Sequence, residues 1–432
     1  MSKHGMVKAV GTHFEYEDGT MFYPFGTTIY ALAHQTPELV EETLNTLKDA
    51  PFNKVRMCVF PKHYQFNNNE PQFYPFEKRE DGTWDPQKPV KEYWDNLEYV
   101  IKRLDEMEIQ CDLILFHSYD NWGFATMSQE DNLKYLEYCL KRLGDLDNVW
   151  WSLANEYDLL LSEITMEQWY EIEDFVAKHN PKGHLISNHN CFLLWDASRE
   201  NITHGSYQIK CLANVGRDVK KFNKPICVDE CCYEGNIAAN WGNLSGEEMT
   251  ARFWQAIASG AYCTHGETFL DENDVLWWSK GGKLKGKSPA RIKFLRDIVE
   301  ALPAPLEPYQ ASFFEFLDTL PDEVKADFDS NPAGRSFNLA HGQQNHDDDV
   351  IMSVCDHEYI ARAKDESCLL KYYYQRCQAF DNVKLPEGKK FKVEVIDTWE
   401  MKKTVAYESA EGFAKVDLPS KPYMAVVATE VK

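Results

Sequence analysis

The chain has no long apolar run. In its 432 residues no stretch approaches the ~20 residues that a membrane-spanning helix needs, so a bilayer is not expected as a partner. No apolar core follows Met1-Ser2-Lys3-His4-Gly5-Met6. The start therefore does not read as a secretory signal, and a cytoplasmic location is expected. Basic residues are in deficit: 46 Lys and Arg stand against 69 Asp and Glu, a formal net charge of -23. Charge of that sign repels nucleic acid and anionic lipid, and excludes both as expected partners. Internal repeats and low-complexity tracts are missing. So is a glycine-rich dinucleotide loop after the first strand. The 12 cysteines form no disulfide framework. Cys58, Cys111, Cys227 and Cys263 sit inside apolar runs, as reduced buried thiols do.

What is present is globular. Hydrophobic residues make up 44% of the chain, enough for a large core. From residue 20 to 303, strand-like and helix-like segments alternate. The strands read as Phe22–Ile29, Lys54–Phe60, Cys111–His117, Val149–Glu156, Leu185–His189, Gly205–Gln208, Lys224–Glu230 and Ala261–His265. Helical faces such as Val40, Leu44, Leu47 and Leu133, Leu136, Leu140, Leu143 fall between them. Eight strand-then-helix units match an α/β (β/α)8 TIM barrel over residues 1–303. Pro303-Ala304-Pro305-Leu306-Glu307-Pro308 breaks the pattern and marks a boundary. Beyond it, over 304–432, short alternating runs (Val350–Val354, Leu369–Tyr374, Phe391–Ile396, Met424–Val427) predict a small antiparallel β-sandwich domain. Gln343–Asp349 reads as a solvated polar turn between two of these strands, since its spacing matches no calcium loop.

Two of the barrel strands end in glutamates. The run Val149-Trp150-Trp151-Ser152-Leu153-Ala154 delivers Asn155-Glu156, and Lys224-Pro225-Ile226-Cys227-Val228-Asp229 delivers Glu230. Barrel chemistry sits at the C-terminal ends of strands. Two carboxyl groups there can cleave a glycosidic bond, one protonating the leaving oxygen and the other attacking the anomeric carbon. His117, His189, His204 and His265 also fall near strand tips, and Trp122, Trp195 and Trp241 in the loops beyond. Hydrogen bonds to sugar hydroxyls and stacking on sugar faces are the roles considered for these, beside plain structural ones. No metal site is expected, because the first strand lacks a His-x-His pair, and no cofactor is expected.

With these motifs, residues 20–303 resemble a clan A retaining glycoside hydrolase. Tyr23–Thr28, Val228–Gly235 and Thr264–Thr268 resemble bacterial glycosidases that carry a small C-terminal β-domain, and Val393–Trp399 is similar to that domain. The resemblance implies Glu156 as general acid/base and Glu230 as nucleophile. It implies Asn155 on the sugar 2-hydroxyl, Arg56 keeping the nucleophile ionised, and Tyr207 hydrogen-bonded to it. The clan's tryptophan at the eighth strand is replaced by His265-Gly266-Glu267, so Trp277-Trp278 is expected to supply the sugar floor. Glu267 and Glu234 are further carboxylates at the bowl, weighed below Glu230 on strand position. The expected substrate is a small glycoside or oligosaccharide. The alternatives are a carbohydrate-binding protein without catalysis and a metal-dependent barrel hydrolase. Oligomeric state stays open, with a homo-oligomer among the outcomes.

Overall fold

A computed structural model describes residues 3–64, 66–272, 274–309, 322–343 and 359–431. They form two compact units. One is Met1–Lys210, Val219–Phe253 and Tyr262–Arg296; the other is Cys211–Asp218, Trp254–Ala261 and Asp297–Lys432.

Eight parallel strands build the first unit: β1 (Phe25–Thr28), β2 (Lys54–Cys58), β3 (Gln110–His117), β4 (Val149–Asn155), β5 (Ile186–Ser187), β6 (Gly205–Gln208), β7 (Ile226–Glu230) and β8 (Tyr262–His265). The sheet runs β5-β4-β3-β2-β1-β8-β7-β6. A parallel bridge between His189 and Ser206 joins its outer strands and closes the barrel. Strands buried on both faces read as continuous apolar runs, which is why these were visible in the sequence.

The helices begin and end where local chemistry requires. In α1 (Pro37–Asp49) the Thr36 side chain accepts the Leu39 N–H and Pro37 occupies the first turn, while Val40, Leu44 and Leu47 are buried. Burying each such side chain stabilises the fold by about 1.5–3 kcal/mol. Ser128 caps α2 (Gln129–Leu143), and Thr165 with Gln168 forms a capping box on α3 (Met166–Lys178).

Three expectations change. The strand expected over Phe22–Ile29 is divided. Met21–Phe22 joins an antiparallel sheet with Val7–Val10 and His13–Tyr16, and Pro24, which has no N–H, separates it from β1. From this sheet Phe14 packs 5.1 Å from Trp150 and 5.4 Å from Tyr262, covering the N-terminal end of the barrel. Second, no helix follows β5. In 188–204 side chains satisfy the backbone instead: the Asp158 carboxylate accepts the N–H groups of Cys191, Phe192 and Leu193 at 2.6, 2.6 and 2.8 Å, and Asp196 accepts that of Ser198. Third, helices Asp322–Ser330 and Pro332–Gln343 occupy a region read as strands and turns. Asn331 accepts the Gly334 N–H ahead of Pro332, a start signal that the strand pattern obscured.

Charge fills the barrel's centre. Lys54 Nζ lies 2.9 Å from Asp112 and 2.6 Å from Asp229, and Arg56 Nε 3.3 Å from Asp112, all four side chains buried. Ser206 and Thr264 donate to Asp229 at 2.6 and 2.7 Å. Removing one partner of such a network costs about 3–5 kcal/mol, because it strands a buried charge. Burial opposes the Lys54 charge, but Asp112 and Asp229 outweigh it and hold its pKa above the usual lysine range.

In the second unit, β9 (Leu306–Pro308), β10 (Tyr359–Ala363), β11 (Cys368–Tyr372), β12 (Phe380–Lys384), β13 (Phe391–Asp397), β14 (Lys402–Ala410), β15 (Phe413–Asp417) and β16 (Met424–Glu430) are all antiparallel. The sheets β9-β10-β11-β16-β13-β14 and β12-β15 share a core in which Val383 and Val416 meet Val393 and Val426, giving the expected sandwich. The strand expected at Val350–Val354 and most of the turn at Gln343–Asp349 lie outside the described residues. No helix among the described residues is long and apolar enough to cross a membrane, and the described cysteines are free thiols.

Candidate active site

Glu156 and Glu230 stand at the C-terminal ends of β4 and β7 and are linked through side chains. The Tyr30 hydroxyl, just beyond β1, donates to Glu230 and also lies 3.0 Å from Asn155 Oδ1. Asn155 Nδ2 in turn donates to Glu156 Oε2 at 3.1 Å. Tyr119, in the loop after β3, donates to the same Glu156 oxygen at 2.5 Å. Arg56 Nη1 stands 3.9 Å from Glu230 Oε1.

The backbone is bent to make this possible. Glu156 has φ +54°, a left-handed conformation that costs a residue with a side chain about 1–3 kcal/mol. The turn is held from β5's end: Glu156 N donates to His189 Nδ1 at 3.3 Å, and Tyr157 N to His189 O at 2.9 Å. Burial keeps His189 neutral, well below the usual histidine range, with Arg56 adding to the effect. His117, pushed down to about 3 by burial, holds the Phe60 carbonyl at 3.2 Å.

Burial and the Glu156 charge push Glu230 up to about 7, against the pull of Arg56, the Tyr30 hydroxyl and Lys62. Carboxyl groups that share a desolvated site disfavour each other's ionisation. A retaining nucleophile must be ionised, and Arg56, the Tyr30 hydroxyl and Lys62 are the groups that favour that form of Glu230.

Aromatic rings surround the pair. The ring of Trp278 lies 5.7 Å from Tyr30, 5.9 Å from Tyr64 and 5.1 Å from Trp241. The Lys62 ammonium sits 3.4 Å from the centroid of the Tyr30 ring and 4.3 Å from that of Tyr119. Of the expected floor, then, Trp278 faces this cluster. Trp277 turns away, its Nε1 donating to Thr27 Oγ1 at 2.9 Å. Trp122, on the loop after β3, donates to Glu70 at 2.8 Å. Trp195 is loop core, donating to Glu173 at 2.9 Å. His204 is buried against Phe14 and Trp150 at the opposite end of the barrel.

The other sugar contacts expected near β8 are not in this group. Gly26 and Thr264 face the interior: a Cβ on Gly26 would lie 2.4 Å from Thr264 Oγ1, and Thr264 reaches Asp229. Alternation along a strand puts Thr27 and His265 on the outer side. There His265 Nδ1 is 3.0 Å from Thr27 Oγ1 and its ring stacks on Phe52. Glu267 and Glu234 form a second buried carboxylate pair beside it. Glu267 accepts the N–H groups of Lys285 and Gly286 at 2.5 and 2.8 Å, and Glu234 those of Lys287 and Ser288 at 2.7 and 3.1 Å. Burial pushes Glu267 up to about 7 as well. Ligand atoms of Glu234, His265 and Glu267 fall within 4.8 Å of one another, a donor set of the right kind for a cation, but each carboxylate oxygen already accepts a main-chain N–H.

Tyr207 was expected on Glu230. It lies on β6 on the opposite face from Ser206, which faces the interior, and its ring is against Gly205. Tyr30, which does reach Glu230, was passed over, as were Tyr119, Lys62 and Tyr64. Tyr30 and Tyr119 lie within two residues of the C-terminal ends of β1 and β3, so the strand-tip rule that found the glutamates would have found them.

Residues 9–298 match the family "Apiosidase-like, catalytic domain", and residues 356–429 match a domain of unknown function, DUF5605. A putative glycoside hydrolase from Bacteroides vulgatus ATCC 8482 is similar at 34% identity and TM-score 0.82, over 99% of this chain and 83% of that one. A glycoside hydrolase family 5 protein from the same organism shares the fold at 15% identity and TM-score 0.72, over 99% of this chain and 94% of that one. A search of curated proteins found no match. The chain belongs to the apiosidase-like catalytic-domain family and is a glycoside hydrolase.

Proposed function

We propose that this member of the apiosidase-like family is a retaining enzyme acting on a small glycoside or oligosaccharide, with Glu230 as nucleophile and Glu156 as acid/base. The observation that carries the reading is the chain Glu230–Tyr30–Asn155–Glu156. It ties the buried Glu156 and the partly exposed Glu230, on separate strand tips, into one unit beside a ring cluster suited to a sugar face. Glu230 would attack the anomeric carbon while Glu156 gives its proton to the departing oxygen, leaving a glycosyl ester on Glu230. Glu156, now ionised, would take a proton from water as that water attacks the same carbon and frees Glu230. Asn155 would hydrogen-bond a sugar hydroxyl next to the reacting centre, and Arg56 would favour the ionised nucleophile. We place the division between barrel and sandwich at residue 303.

The test is a panel of aryl glycosides of both anomers, apiosides included, run with EDTA on wild type, Glu156→Ala and Glu230→Ala. Turnover lost in Glu230→Ala, and restored by azide in Glu156→Ala, is expected. Activity indifferent to both changes would overturn the assignment, and activity lost to EDTA would favour a metal-dependent hydrolase.

A further inference from the structure

We propose that Lys62 is a positioning residue for the carboxylate pair, acting on both glutamates through Tyr30 and Tyr119 and so setting where on the pH axis the enzyme works. The proposal rests on the reading of Glu156 and Glu230 given above. Lys62 lies in the loop after β2 and is buried, and its ammonium is caged by three rings at 3.4 Å (Tyr30), 4.3 Å (Tyr119) and 5.0 Å (Trp278). Two of these rings carry the hydroxyls that donate to Glu230 and Glu156. A cation on a tyrosine face is attracted by the ring's quadrupole. It also draws electron density from the phenol, which makes the O–H a stronger donor to a carboxylate.

Its surroundings leave Lys62 little competition. From β2 it faces Arg56 and Cys58, from β4 and β7 Glu156 and Glu230. His117 and His189 also feel its charge, but both are buried and neutral. Tyr64, Cys191 and Tyr233, further titratable groups near the pair, are pushed up by burial and stay uncharged at neutral pH. Arg56 is the other cation near the pair, and it also serves Asp112. Burial pulls Lys62 below the usual lysine range, while Cys58, Glu230 and Glu156 oppose that pull. Lys54, Arg56 and Lys62 are set among the carboxyl groups of Asp112, Asp229, Glu156 and Glu230. Removing Lys62 takes a cation from this poorly solvated group, which disfavours ionisation of the two carboxyl groups beside it.

The experiment compares the pH profile of kcat/KM for wild type, Lys62→Met and Lys62→Arg, with thermal melts to check folding. In Lys62→Met both limbs should move to higher pH by about one unit, the size expected of a unit charge at this range in a poorly solvated site. Lys62→Arg should return them toward wild type. A lower kcat with both limbs unmoved would overturn the proposal, since a purely structural role lowers rate without moving a profile. A second readout needs no turnover. Carbon-13 NMR titration of glutamate carboxyl groups, assigned with Glu156→Gln and Glu230→Gln, should show the same upward shift in Lys62→Met. Unchanged titration would overturn the Lys62 role even where the panel fails. A shifted titration in a protein whose Glu230→Ala form stays active would retain it and discard the catalytic reading.

Discussion

Two pairs of glutamates lie in this barrel, Glu156, Glu234 and Glu267 buried and Glu230 partly exposed, and what surrounds them differs. Glu156 and Glu230 are held by side chains: a tyrosine each, an asparagine and an arginine. Glu234 and Glu267 are held by four consecutive main-chain N–H groups, from Lys285 to Ser288 at the start of the helix Ser288–Glu300. In each pair burial pushes one member up to about 7. A raised pKa therefore does not separate the pair proposed as catalytic from the other. The partners do. Main-chain N–H groups pin a loop and fix the carboxylates in place. Side-chain hydroxyls and amides can exchange a carboxylate for a sugar hydroxyl, and the rings beside them give the sugar a face to rest on.

The comparison can be broken by substitution in either pair. The largest effect should come from Glu230→Ala, with loss of about 10⁴-fold or more in kcat, the scale seen when a nucleophile of a concerted site is removed. Its thermal midpoint should not fall. In Glu267→Ala the order should reverse. The Lys285 and Gly286 N–H groups lose their acceptor, at a cost of about 2–4 kcal/mol in unfolding free energy read by denaturant titration, with the stability change outweighing any change in kcat. Equal loss of rate in both variants would erase the distinction drawn between the pairs.

Tyr30→Phe should reduce kcat/KM by about 10–100-fold, since it removes one charge-assisted hydrogen bond to Glu230. It should also move the acid limb to higher pH, because the lost donor favoured the ionised form. A subtler effect concerns stability. Glu230 has a folded pKa near 7, above the ordinary 4.5, so its folded state binds the proton more tightly than the unfolded chain does. The stability this provides is present below about 4.5 and is lost as pH rises through about 7. Glu230→Gln should therefore melt higher than wild type at pH 8, with the gap closing toward pH 4.5. An unchanged gap would show that Glu230 is not held in a disfavoured charge state.

Much of this was legible in the sequence because strands buried on two faces spell themselves out. The runs ending at Glu156 and Glu230 needed only apolar continuity and a terminal carboxylate. Asn155, Arg56 and Trp278 followed from their places on or just after those strands. His265, Glu267 and Trp277 were misplaced for a physical reason: period-2 alternation decides inside from outside, and at β8 only the register with Gly26 and Thr264 fixes it. On β6 the same alternation puts Tyr207 on the face opposite Ser206. Lys62 and Tyr64 gave no local signal, because what brings them to the pair is the path of a long loop. The loop 188–204 hid the absence of a helix, since its turns depend on Asp158, some 30 residues earlier.

The most direct test of the central claim is to trap the intermediate. Wild-type protein would be incubated with the 2-deoxy-2-fluoro form of whichever glycoside it turns over, then digested and mapped by mass spectrometry. The account predicts one covalent glycosyl group, carried on the peptide containing Glu230 and absent from Glu230→Gln. A label on Glu156 or Glu267, or turnover that never forms an adduct and inverts the anomeric centre, would contradict it.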